Sequence, residues 1–277
     1  MIDREDDLMA QTNGWTDWRD FHIVKKDRES SEITSFYLSP VSGEKLPSFL
    51  PGQYISLATH VPGFKYIQSR QYSLSAAPNT SYYRISVKRE TDQNHKFHPG
   101  WISNVLHDEK NEGDIVKVSH PAGEFLCDVE GTKGPVVLMS AGVGLTPMVS
   151  ILDTLVDKKL TSRGVSWIHA TRSSEVQAFA QHIRDVVKAH DGLVTATVFN
   201  KGPNEAAVEG VDYKYKTRMS LDVLDDEKDL HLEDPETNYY ICGPDAFMAN
   251  TSKQLQGCGV GKSKIHSEVF GTGVAVH

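Results

Sequence analysis

The sequence predicts two units of different class, a small antiparallel β-barrel followed by a parallel-sheet α/β unit, and three observations carry that expectation. From residue 18 to about 118 the chain is a series of short alternating or β-branched runs cut by Gly, Pro and Asn, the rhythm of half-buried strands joined by tight turns. After Gly131-Thr132-Lys133-Gly134 the runs become wholly apolar and alternate with amphipathic stretches, the rhythm of a parallel sheet with helices on both faces. A length of 277 residues is enough for two such domains.

In the first unit six strand-sized segments are expected, at 21–25, 33–38, 53–57, 70–75, 82–88 and 114–118, a count that suits a small closed barrel. One helix interrupts them: residues 98–106 carry Pro99 near the first turn, where a missing N–H costs nothing. In the second unit strands are expected at 136–139, 165–170, 193–199, 239–242 and 264–269, with helical segments at 148–160, 175–189 and 246–255. Residues 201–236 are polar and irregular, and no element is assigned to them. The domain limits follow as a linker-helix remnant over 1–17, a barrel over 18–130 and an α/β domain over 131–277.

Composition narrows the function classes. Lys and Arg total 29 against 37 Asp and Glu, a formal charge of -8 with no basic run, which argues against a nucleic-acid surface. Cys127, Cys242 and Cys258 form no C-x-x-C spacing, so no iron-sulfur or zinc site is expected, and sparse odd cysteines suit a reducing cytosol. The first residues are acidic and no apolar run approaches the ~18 residues that span a bilayer. The expectation is a cytoplasmic protein without a metal, nucleic-acid or membrane partner.

Three segments carry the chemistry: Arg70-Gln71-Tyr72-Ser73, Ala141 to Pro147, and Cys242-Gly243-Pro244-Asp245. In an extended strand Arg70 and Tyr72 share one face and Gln71 and Ser73 the other. A flat isoalloxazine ring needs an aromatic to stack on and a hydrogen-bonding group at its N5 edge, while its pyrophosphate needs a charge such as an arginine fork. These positions supply all three, and the helix N-terminus at Gly100, Ile102 and Ser103 offers N–H groups to the same pyrophosphate. Taken alone, a surface Arg70 and a Tyr72 packed in the barrel are the commoner explanation.

The second segment ends an apolar strand with Ser140-Ala141-Gly142-Val143-Gly144 and opens a helix with Leu145-Thr146-Pro147. Such a glycine turn lets backbone N–H groups face a pyrophosphate. Thr146-Pro147 stands where the third glycine of G-x-G-x-x-G would come, so the standard fingerprint is absent, and the turn alone reads equally as structural. The third segment again ends a strand and puts a soft thiol at the carboxyl edge of the sheet, where open α/β folds bind ligands. A small buried apolar residue is the commoner role of a lone cysteine, and no base near Cys242 in sequence makes it a nucleophile.

Together these stretches resemble the ferredoxin-NADP reductase superfamily and, within it, the reductase portion of flavohemoglobins, the two-domain nitric oxide dioxygenases. The matching residues are Gly14-Trp15 to Phe21, Ile33 to Pro40, Pro51-Gly52-Gln53-Tyr54, Arg70 to Ser75, Gly123-Glu124-Phe125, Ser140 to Pro147, Cys242-Gly243-Pro244 and His266 to Gly271. The resemblance implies that Tyr54 and Arg70 to Ser73 bind FAD with Val87, Lys88 and Gly100 to Ser103 alongside. It implies that Gly142, Val143, Gly144, Leu145, Thr146 and Pro147, with Cys242, Gly243 and Pro244, bind NADH or NADPH, and that Val269, Phe270, Gly271 and Thr272 cover the flavin. Glu268 matches a carboxylate that tunes flavin potential. Physically, His266, Glu268 and Phe270 alternate onto one face.

The function expected is an FAD-dependent NAD(P)H oxidoreductase with Ser73, Glu268 and Cys242 as catalytic residues. Hydride passes to flavin N5 beside Ser73, Phe270 moves aside for the nicotinamide, and electrons leave singly. In the family they go to a globin heme for nitric oxide dioxygenation. Only 17 residues precede Trp18, so the globin is expected in trans or in a longer parent chain, and residues 3–9 resemble the end of the helix that joins the two. The alternatives are a stand-alone ferric, flavin or quinone reductase and a non-catalytic flavin module. After the 165–170 strand, Arg172 is placed to pair with a 2′-phosphate, although an exposed turn arginine is the commoner explanation, so the choice of nucleotide stays open.

Overall fold

The computed structural model describes residues 14–90 and 100–268, which divide into two compact units, one ending at Leu126 and one beginning at Cys127. Each expected strand is present. In the first unit these are β1 (Arg19–Arg28), β2 (Ile33–Pro40), β3 (Tyr54–Thr59), β4 (Gln68–Ser73), β5 (Tyr83–Lys88) and β6 (Ile115–Val118). They pair antiparallel in the order β4-β3-β6-β1-β2-β5.

The outermost strands of that order meet again, because Leu74 bridges Ile85 and Ser75 N donates to the Arg84 carbonyl at 2.8 Å. The sheet therefore closes on itself, and no edge is left between β4 and β5. Alternation sorts the faces: Phe36, Leu38, Leu74, Tyr83, Ile85 and Val87 enter the core, while Ser35, Ser75, Arg84 and Ser86 take the opposite side. Burying each large apolar side chain contributes about 1.5–3 kcal/mol.

Helix α1 (Trp101–Asp108) adds Ile102, Val105 and Leu106 to the same core. It runs two residues past its expected end because the Lys26 ammonium, reaching over from β1, donates to the Leu106, His107 and Lys110 carbonyls, which satisfies a C-terminus that has no glycine cap. Pro99 lies outside the described residues. Gly14–Asp17, expected in a helix remnant, are not helical: Trp15 is buried on the barrel, with its indole N–H donating to the Val118 carbonyl at 3.2 Å. Residues 3–9 lie outside the described part.

In the second unit, β7 (Val136–Ala141), β8 (Val165–Thr171), β9 (Val194–Asn200), β10 (Asn238–Cys242) and β11 (Ile265–Glu268) form one parallel sheet in the order β11-β10-β7-β8-β9. Residues 136–140 are all buried, consecutive positions alike, so both faces of the central strand are covered, as parallel sheets require. Helices α2 (Leu145–Asp157), α3 (Ala180–Ala189) and α4 (Asp245–Gly257) supply the cover, with Met248 and Leu255 of α4 packed on Val137, Met139 and Ile241. The chain enters the sheet at β7, builds outward through β8 and β9, then returns to the other side of β7 with β10. That reversal makes the β7/β10 boundary a topological switch point, where open α/β sheets bind ligands outside the carboxyl ends of their strands.

The starts of α2 and α3 also differ from the expectation. The α3 helix begins at Ala180 rather than 175, because Phe179 adopts φ 57° after a 3₁₀ turn at Ser174–Val176, a left-handed conformation that interrupts helical hydrogen bonding. In contrast α2 begins earlier than expected, since a proline at the third helical position lies where no intrahelical N–H is needed.

The barrel depends on Gly52, whose φ of +101° and lack of a side chain let it approach Phe125: a Cβ there would lie 2.1 Å from the Phe125 carbonyl oxygen. Gly63, with φ +85° and no atom within 4 Å of its Cβ position, isolates the conformational part. Gly63→Ala should cost about 1–2 kcal/mol, and Gly52→Ala about 2 kcal/mol beyond that. Urea unfolding midpoints of the two variants check the difference, and equal midpoints would contradict the close approach.

Candidate functional site

The residues expected to hold a flavin sit on β3, β4, β5 and the first turn of α1. Tyr54 and Ser73 are register partners on β3 and β4. Gly123 has φ +119°, and its absent Cβ would come 3.0 Å from the Tyr54 ring, so a glycine seats that ring. Ser73 is buried, Tyr72 half-buried, and Arg70 and Gln71 are exposed. Arg70 donates to the adjacent Ser69 carbonyl at 2.8 Å and forms no ion pair among the described residues, so its fork faces solvent. Burial pushes the Tyr72 phenol well above its ordinary pKa, with the Arg70 charge acting the other way, so the ring is neutral.

Helix α1 begins after Gly100 with no side-chain cap and no acidic residue in its first turn. Its first-turn N–H groups have no intrahelical acceptor, and the dipole end favours an anion. The Val87 and Ile102 side chains belong to the barrel core, and the Val87 carbonyl accepts from His107 Nε2 at 2.9 Å. The Lys88 ammonium is paired with Glu90 at 3.1 Å. The Ser103 hydroxyl donates to the Gly100 carbonyl at 2.7 Å, which holds the turn.

The residues expected to bind the nucleotide gather at the switch point. Gly142–Gly144 form a 3₁₀ turn between β7 and α2. Gly142 is exposed with φ +56°, and nothing lies within 4 Å of its Cβ position. Gly144 has an ordinary φ of -60°, yet a Cβ on it would fall 2.3 Å from the Cys242 carbonyl oxygen. That approach locks the turn against the end of β10. The α2 N-terminus carries no side-chain cap, the Leu145 N–H is spent on the Gly142 and Val143 carbonyls, and a glycine turn at a helix start suits a pyrophosphate. Leu145, Thr146 and Pro147 are buried, and the Thr146 hydroxyl donates to the Val143 carbonyl at 3.1 Å. Their side chains build the turn. Pro244 is exposed and precedes α4.

Across the sheet, Glu268, Cys242, Ser140 and His169 are successive register partners on β11, β10, β7 and β8, so they form one row on one face near the carboxyl ends. Burial pushes the Cys242 thiol far up and the Glu268 charge adds to this, which keeps the sulfur protonated and non-nucleophilic. His266 stacks on Tyr240 at 4.7 Å, on the face that Glu268 shares. Residues 269–272 lie outside the described part. The Ser140–His169 end of the row was not anticipated, although a Ser and a His ending two apolar strands were its signal. His169 Nδ1 meets Ser140 Oγ at 2.9 Å, while Nε2 is buried without a partner. Burial lowers its pKa from 6.5 to about 4.

Elsewhere, no group of three or more His, Cys, Asp or Glu among the described residues is placed to hold a metal, and no described helix is long and apolar enough to cross a membrane.

Known proteins resemble this chain in sequence and fold. Residues 138–253 match a family model described as an oxidoreductase NAD-binding domain. The flavohemoprotein of Bordetella pertussis is 44% identical over 278 aligned positions, which cover 99% of this chain and 66% of that protein. The chain thus spans just under two thirds of that relative's length. The FAD/NAD-binding domain of a nitric oxide dioxygenase from Vibrio cholerae superposes with a TM-score of 0.80 at 38% identity, covering 92% of this chain and 100% of that one. A flavohemoglobin of Malassezia yamatoensis, solved with FAD and heme, shares the fold at a TM-score of 0.76 and 23% identity, covering 98% of this chain and 64% of its own.

The buried imidazole sets a pH dependence. The unfolded chain binds a proton at His169 below about 6.5, whereas the folded chain resists it down to about 4. This contribution to stability is therefore complete above pH 6.5 and lost as pH falls through that window, by roughly 3 kcal/mol in all. His169→Gln should flatten the unfolding free energy between pH 6.5 and 4 relative to wild type. An unchanged slope in urea titrations would contradict a neutral, uncompensated His169.

Proposed function

The chain belongs to the flavohemoprotein family of FAD- and NAD-binding reductase domains, and on that premise we propose that it oxidises NAD(P)H through FAD and passes the electrons on to a separate acceptor. The switch-point turn carries the reading, since Gly142 opens outward while Gly144 is pressed against Cys242. Bound FAD supplies the redox chemistry, accepting a hydride and releasing electrons one at a time.

The chain's own residues bind and orient. In the first unit, the Arg70 fork and the first-turn amides of α1 at Gly100 to Ser103 hold the FAD pyrophosphate. Tyr54 and Tyr72 provide ring faces, with Gln71 at the strand's solvent side, and the Ser73 hydroxyl holds a hydrogen bond at the reacting edge. In the second unit, the amides of Gly142 to Gly144 and of the α2 start hold the nucleotide pyrophosphate. Gly243 and Pro244 lie beside them at the β10 end. The Cys242 thiol, small and protonated, offers a neutral surface to the nicotinamide, and the Glu268 carboxylate supplies the nearby charge.

For the acceptor we propose a heme carried by a globin, in trans or in a longer parent chain. The family's name and the FAD and heme of the Malassezia protein support this, and with that partner the electrons would serve nitric oxide dioxygenation.

The purified chain should take up FAD and reduce ferricyanide with NADH or NADPH. Arg70→Ala removes a charge-assisted fork of about 1.5–3 kcal/mol, so FAD affinity should fall by roughly 10- to 150-fold while the thermal midpoint of the cofactor-free protein holds. Fluorescence titration with FAD checks it, and equal affinities would remove Arg70 from the site.

A further inference from the structure

The loop between β3 and β4 carries an aromatic ring that the barrel core does not use. Tyr66 is 69% exposed, the highest value among the large apolar side chains of the described residues, and Ile67 beside it is 48% exposed. A single exposed apolar residue on a loose loop would mean little. This one is held from below. Val61 is buried in the barrel core and Phe64 packs against it. The Phe64 N–H donates to the Val61 carbonyl at 3.1 Å, and the Gln68 side-chain amide donates to the Tyr66 and Ile67 carbonyls at 3.0 and 3.3 Å. The loop thus buries residues 61 and 64 and presents Tyr66 to solvent.

Charge surrounds the ring. The Lys65 ammonium lies over the Tyr66 ring, 5.2 Å from its centre, an arrangement that the ring's negative face favours. Lys65 and Arg70 form no ion pair among the described residues. By contrast Lys88 and Arg89, at the end of β5, are matched with Glu90 and Asp108 at 3.1 and 2.7 Å. An exposed ring between two unmatched cations suits a ligand that is flat and aromatic at one end and anionic beside it, which is the chemistry of a nucleotide.

Two routes place Tyr66 next to the proposed pyrophosphate seat. Through space, the Phe64 ring meets that of Trp101, the first residue of α1, with centres 4.2 Å apart, so the loop is fastened to the helix whose first-turn amides face the phosphates. Along the chain, Ser73, Arg70 and Tyr66 are separated by about 10 Å and 13 Å of extended backbone. FAD is built in the same order: flavin ring, pyrophosphate, adenine, with a ribityl arm on one side of the phosphates and a ribose on the other.

We propose that Tyr66 is the platform on which the adenine of FAD stacks, an inference that rests on Arg70 and α1 holding the pyrophosphate. Lys65 covers one face of the ring and the base takes the other, while the Lys65 and Arg70 charges together draw the phosphates. Tyr66 is then the residue that selects between flavins. FMN ends at its single phosphate and has no base to lay on the ring.

The purified chain, freed of flavin, is titrated with FAD and with FMN, and each dissociation constant is read from flavin fluorescence. Wild type should hold FAD the more tightly. Tyr66→Ala should weaken FAD binding by roughly 5- to 150-fold, the range that one stacked base supplies, and leave the FMN constant where it was. Tyr66→Trp, which keeps a flat face, should restore FAD binding. A ring that only stiffens the loop would lower the affinity for both flavins together, and one that serves a contact with another protein would lower neither. Either result, or a wild type that holds the two flavins equally, would overturn the platform and leave flavin binding itself standing. A wild-type chain that takes up neither flavin would overturn both.

Discussion

The second unit depends on one close approach, that of Gly144 to the carbonyl of Cys242, where even a methyl group would stand 2.3 Å from the oxygen. This contact joins the ends of two strands that are neighbours in the sheet and remote in sequence. Because β7 and β10 flank the reversal of strand order, their pinned ends define the crevice at the switch point. A larger residue at 144 would therefore disturb both the packing of the sheet and the binding face of the turn.

In the first unit, alternation along one segment does the corresponding work. Tyr72 and Leu74 face the barrel core, so Ser73 and Ser75 are turned to the other side. Closure through Leu74 and Ile85 fixes this orientation, since a one-residue slip would exchange the faces. The apolar half of the segment thus sets the direction of its polar half, and the Ser75 and Ser86 hydroxyls meet at 2.7 Å because β5 is carried alongside by the same closure.

Much of this was legible in the sequence, and the reasons are physical. All six barrel strands and five sheet strands follow from local periodicity, and the glycine-rich ends of β7 and β10 announce themselves through residue types suited to close backbone approach. Chain-distant polar partnerships were not legible. Within residues 201–236, the buried Asp229 accepts from Thr197 Oγ1 at 3.3 Å, Lys214 Nζ at 3.3 Å and Asp225 N at 3.0 Å, a hub whose members no period connects. Phe179 at φ 57° shortened a helix that an amphipathic pattern extends. The Lys88–Glu90 pair at 3.1 Å is a matter of side-chain direction that no spacing announces. The Ser140–His169 and Ser35–Ser86 pairs share this character, because register between strands, rather than spacing along them, brings their members together.

In the function proposed above, this one chain holds a flavin on its barrel and a reduced pyridine nucleotide at the end of β7 and β10, and the nucleotide reduces the flavin. The most direct test is an anaerobic titration of the FAD-loaded protein with NADH or NADPH, followed by the visible absorption of the flavin. The account predicts complete bleaching at one equivalent of nucleotide per flavin. A loaded protein that binds the nucleotide while its flavin spectrum stays oxidised would contradict it.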